Sequence, residues 1–103
     1  MTLNGYSSTS YKGNGCGMDS YHTFSLMTVF NITDDNNTNF GCLLIRNPSG
    51  GSSGYNTSFN YASSFWTNSL VAQVPFGLDP RKSINDGIIV VPIELLSTCF
   101  ASF

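Results

Sequence analysis

Tyr21-His22-Thr23-Phe24-Ser25-Leu26-Met27-Thr28-Val29-Phe30-Asn31-Ile32 is the stretch on which the fold turns. His22, Phe24, Leu26, Thr28 and Phe30 recur at period two, with Thr23, Ser25, Met27 and Val29 between them. Alternation at that period puts each set on its own face of a β-strand. Thr33-Asp34-Asp35-Asn36-Asn37 follows, a run of Asx residues that tolerate left-handed backbone and close hairpins. Phe40 to Arg46 is a second apolar run with β-branched content. Together they predict an antiparallel hairpin.

Upstream, Met1 to Ser20 is rich in Gly, Ser and Asn, and Gly13, Gly15 and Gly17 alternate around Cys16. That composition favours turns over regular elements and predicts a flexible arm over 1–20, ahead of a folded unit at 21–103. Downstream, Asn47 to Ser64 reads as a long irregular connection pinned by Tyr55, Phe59 and Tyr61. Leu70 to Phe76 predicts a short strand ended by Pro75. Ile88 to Val91 predicts a buried strand that Pro92 stops, and Glu94 to Ser97 a single helical turn, with Phe100 and Phe103 as apolar anchors. The expected class is α+β, mainly antiparallel β.

With 103 residues, 41% of them hydrophobic and 10% charged, the chain suits one small domain with a modest core, and neither a disordered polyelectrolyte nor a coiled coil. The net charge is −2, and Lys12, Arg46, Arg81 and Lys82 form no dense cluster, so nucleic acid is not an expected partner. Ile88 to Leu96, the longest apolar stretch, carries a proline and a glutamate and is about half as long as a membrane span requires. No span is expected. The first twenty residues hold no apolar segment of the secretory kind, which points to an intracellular, cytoplasmic protein. Cys16, Cys42 and Cys99 are odd in number and form no C-x-x-C pair, fitting neither a disulfide framework nor a zinc knuckle, so free thiols are the expectation. Sequons occur at Asn31, Asn36 and Asn56, as chance would produce in so Asn-rich a chain.

Two segments carry a resemblance. Gly17-Met18-Asp19-Ser20-Tyr21-His22-Thr23-Phe24-Ser25, followed one hairpin later by Leu44-Ile45-Arg46-Asn47-Pro48-Ser49-Gly50, resembles the calpain pattern of a glycine ahead of H-A-Y/F-S and then L-I-R-x-R-N-P-W-G. Allowing one inserted residue, the calpain segment E-W-x-G-x-W-x-D with its downstream tryptophan falls on Gly54, Tyr55, Phe59, Tyr61 and Trp66. Asn85-Asp86-Gly87-Ile88-Ile89-Val90-Val91-Pro92-Ile93-Glu94-Leu95-Leu96 is similar to D-D-G-x-F-W-M-S-F-E-D-F-L. The likeness covers Gly17 to the C-terminus.

What it implies is the β-sheet subdomain of a calpain/papain-like cysteine-protease core, the half that carries histidine and asparagine. In a papain-type triad the imidazole takes the thiol proton, while a side-chain amide on its other nitrogen fixes the tautomer. By similarity His22 is the general base and Asn47 its orienter. Without the family, a lone histidine at a strand start and an Asn-Pro turn read as structural. The family's cysteine-bearing segment has no counterpart here, and each of the three cysteines reads as a bystander. Ser49 replaces the tryptophan that shields the His–Asn hydrogen bond. Gly54, Tyr61 and Ile88 stand where calpains carry calcium-binding carboxylates, leaving Asp86 alone, too few oxygen ligands for that cation. No cofactor is therefore expected. The implied role is a non-catalytic structural or partner-binding module. The alternative is the His/Asn-supplying part of a split or larger calpain-type cysteine endopeptidase, with a cysteine-bearing domain as protein partner. No activity is expected from the chain alone.

Overall fold

The computed structural model describes residues 2–4, 16, 23–48, 59–82 and 86–100. Its elements in chain order are β1 (Thr2–Asn4), β2 (Thr23–Thr33), β3 (Asn39–Arg46), α1 (Asn68–Val71), β4 (Ile88–Pro92) and α2 (Leu96–Cys99). Turns of 3-10 helix lie at Pro75–Gly77, Pro80–Lys82 and Ile93–Leu95. The strands form one sheet in the order β1-β2-β3-β4, and every neighbouring pair is antiparallel. The chain is thus a small α+β domain built on a four-stranded antiparallel sheet.

The hairpin expected from the sequence is β2–β3, paired from Ser25 with Arg46 to Thr33 with Asn39. Asx chemistry closes it. The Asp34 carboxylate accepts from the N–H groups of Asn36 and Thr38, both at 2.9 Å, and Asn37 takes the left-handed backbone at φ 62°. These contacts satisfy donors that the turn would otherwise leave unpaired.

A β-bulge between Leu26 and Thr28 decides how the core is filled. Leu26 pairs with Ile45, but Thr28 pairs with Leu44, so Met27 is an extra residue on β2. A one-residue slip moves every following side chain to the other face. Phe24 and Leu26 therefore pack on one face of the sheet and Phe30 and Ile32 on the other, although the sequence alternates without a break. The first face carries Leu3, Phe24, Leu43, Ile45, Ile89, Val91 and Phe100. The second carries Ile32, Cys42, Leu44, Ile88 and Val90 under Phe59, Trp66, Leu70 and Val74. All five residues of β4 are buried, which explains its unbroken apolar run.

Three expectations change. Leu70 to Phe76 is no strand: it holds α1 and a 3-10 turn. Thr67 caps α1 by accepting from the Leu70 N–H, and the buried residues Leu70 and Val74 are four apart, a helical spacing rather than a strand's. Thr2–Asn4, inside the segment read as a flexible arm, is strand β1, with Leu3 wholly buried. Finally, Cys16 and Cys99 are disulfide-bonded and Cys42 alone is free, so the reading of three free thiols does not hold. An odd count bars only the last cysteine from a partner. The sheet brings residues 83 apart in sequence to a Cα–Cα distance of 5.5 Å, which no local spacing reveals.

Candidate functional site

The ends of the strands define where chemistry could occur. Because β2 and β3 are antiparallel, the start of β2 at Thr23 and the end of β3 at Arg46 lie at one end of the sheet, which Asn4 and Ile88 share. Thr23 Oγ1 donates to Asn4 Oδ1 at 3.0 Å, tying β1 to this end. The hairpin turn at Asp34–Thr38 lies at the opposite end, roughly 30 Å away by strand rise.

Asn47 follows β3 directly. Among the described residues it is the one polar residue classed as buried, 6% exposed, and its backbone N–H donates to the Gly87 carbonyl at 2.8 Å. Gly87 itself adopts φ 77°, a conformation that admits glycine and strains other residues. Asp86 accepts from the Ile88 N–H at 3.4 Å, completing the turn into β4. A loop and a strand end thus converge on Asn47 and hold its backbone. Burial of an amide side chain is costly unless it is hydrogen-bonded, so a position like this serves either turn geometry or a site.

His22 lies outside the described residues, as do Ser49, Gly54 and Tyr55. Thr23, the first residue of β2, lies at the same sheet end as Asn47. Of the aromatics aligned with the calpain segment, Phe59 and Trp66 are buried and Tyr61 is half-buried. Trp66 Nε1 donates to the Phe59 carbonyl at 2.9 Å, and its indole meets Phe65 edge-on. Phe40, Phe59 and Phe65 stack or meet at right angles beside it, so these rings build the second core.

No cysteine of this chain is fit to act as a nucleophile. Cys16 and Cys99 are joined to each other. Cys42 is fully buried in β3, and burial, with a smaller push from the Glu94 charge, raises its thiol from 9.0 to about 12. A thiol so rarely ionised at neutral pH does not attack. For calcium, Asp86 stands exposed, Ile88 is buried in β4, and no group of three His, Cys, Asp or Glu side chains gathers among the described residues. No helix is long and apolar enough to cross a membrane among those residues.

Two features escaped the sequence reading. Gln73 reaches back across the fold: its Oε1 accepts from the Thr33 N–H at 2.8 Å and its Nε2 donates to the Thr33 carbonyl at 2.9 Å, capping the end of β2 as a neighbouring strand would. A single glutamine in a loop carries no signal for this. The other is an open depression of about 200 Å³ beside the hairpin turn, lined by Asp34, Asp35, Asn36, Phe65, Thr67 and Leu70. No family model, no curated protein and no solved structure matches the chain.

Proposed function

We propose that this chain is a calpain-like subdomain that carries a histidine and an asparagine without a nucleophile of its own, and that it acts as a non-catalytic module binding a protein partner. The observation that carries this reading is the state of the three cysteines: two are consumed in the Cys16–Cys99 bond and the third is sealed inside β3. The position of Asn47 supports it. It is buried at the sheet end where β2 begins, in the order that the family's His–hairpin–Asn pattern requires. For a partner, Val29 and Ile93 offer apolar side chains 54% and 44% exposed.

Retention of both His22 and Asn47 favours one second reading, in which a cysteine-bearing domain docks on this sheet end and takes the imidazole as its base. A titration separates both from a purely structural role. His22 is the single histidine, so its imidazole resonances can be followed alone by NMR. A His22 pKa that moves in Asn47→Ala supports the paired amide, and an identical titration curve in wild type and variant defeats it. Peptide hydrolysis by the chain alone would defeat the non-catalytic reading. Hydrolysis only after addition of a cysteine-bearing papain-like domain would favour the second.

A further inference from the structure

The Cys16–Cys99 bond and the hairpin tip point to the same cellular chemistry. Disulfides persist in oxidising compartments and are rare where glutathione keeps thiols reduced. This one joins the segment before β2 to the end of α2 and lies fully buried in the first core, with Cys16 1% and Cys99 0% exposed. It is part of the packing, not a surface accident.

The same oxidising route is where Asn-x-Ser/Thr sequons are read. Asn36-Asn37-Thr38 is such a sequon, and it sits on the β2–β3 turn with all three residues exposed. Asp34 holds the backbone N–H of Asn36 and of Thr38, both at 2.9 Å, and Asn37 swings through φ 62° between them. Beside it opens the depression of about 200 Å³, which Asn36 lines together with Phe65, Thr67 and Leu70, so there is room at the turn for an attached group. Asn31 opens another sequon, but in mid-strand, paired with Gly41 in the β2–β3 ladder rather than on a turn. Asn56 lies outside the described residues.

We propose that the domain matures in an oxidising, secretory-type compartment and carries an N-linked glycan on Asn36. This replaces the intracellular location expected from the sequence, and it does not rest on the calpain-like reading. In the transfer, the Asn36 amide nitrogen bonds to the anomeric carbon of an oligosaccharide carried on a lipid diphosphate. The carbon–oxygen bond to the diphosphate breaks, the lipid diphosphate leaves, and a base on the transferase takes the amide proton.

The test uses the protein isolated from the cells that make it, without reductant. N-glycosidase treatment is expected to increase its gel mobility and to leave aspartate at position 36, read by peptide mass spectrometry. In denaturant, where Cys42 is alkylated, Cys16 and Cys99 are expected to resist alkylation until reduced. An Asn36→Gln variant made in the same cells is expected to lose that part of the mobility shift while keeping the wild-type circular dichroism. Asparagine recovered unmodified at position 36 overturns the proposal, as does alkylation of Cys16 and Cys99 without reduction.

Discussion

The backbone N–H of Asn47 donates to the carbonyl oxygen of Gly87 over 2.8 Å, so the residue that follows β3 is held by the turn that begins β4. That turn depends on Gly87 at φ 77°. An alanine in left-handed backbone costs about 1–2 kcal/mol. Gly87→Ala is therefore expected to lower stability by about that amount in urea unfolding. It should also perturb the Asn47 amide resonance more than those of the Asp34–Thr38 turn.

The Cys16–Cys99 bond closes a loop whose ends are 83 residues apart. On the chain-entropy account, a loop of this length contributes about 4.5 kcal/mol, a large share of a small domain's total. Cys16→Ser with Cys99→Ser is expected to lower the melting temperature sharply, and dithiothreitol should do the same to the wild type. Equal melting with and without reductant would contradict this.

Cys42 gives a pH signature. Below pH 9.0 its thiol keeps its proton whether the chain is folded or not, and it adds no pH dependence. Between 9.0 and about 12 only the unfolded chain releases that proton, so folding stability falls as pH rises through the window. Cys42→Ala should flatten the slope relative to wild type. In the native protein Cys42 is expected to react with iodoacetamide only after denaturation.

Met27 is the surplus residue of the bulge and its side chain is 40% exposed. Deleting it leaves a regular ladder in which Phe30 still opposes Cys42 and Ile32 still opposes Phe40. The deletion is expected to fold, at a cost below that of Ile32→Ala, which removes a wholly buried side chain and should cost about 2–5 kcal/mol. Chemical denaturation of the two variants side by side checks the order.

Trp66 is the single tryptophan, so its fluorescence reports on the second core. Trp66→Phe removes the 2.9 Å hydrogen bond to the Phe59 carbonyl, and is expected to cost about 1–3 kcal/mol. Circular dichroism follows the variant's unfolding.

The hairpin was legible because local chemistry writes it: alternation over β2, Asx residues in the turn and apolar β3 all act within a few residues of one another. β4 was legible for the same reason, as was a helical turn before Cys99. What could not be read depends on partners distant in the chain. Leu70 and Val74 look like a strand until Thr67 caps the first turn and the second core claims both side chains. Thr2–Asn4 is too short to announce itself and becomes a strand only beside Thr23–Ser25. The Cys16–Cys99 pairing follows from the closed sheet and from no spacing. At the candidate site, what the sequence made legible is that Asn47-Pro48 follows β3 directly, because a strand end is a local event.

Because Met27 switches β2 from one face of the sheet to the other, no strand in the pair β2–β3 belongs to a single core. Such a strand acts as a shared beam: loosening the aromatic side withdraws support from the disulfide side, and the reverse. On that account β2 and β3 are expected to exchange as one unit, their slowest amides opening together in one global event.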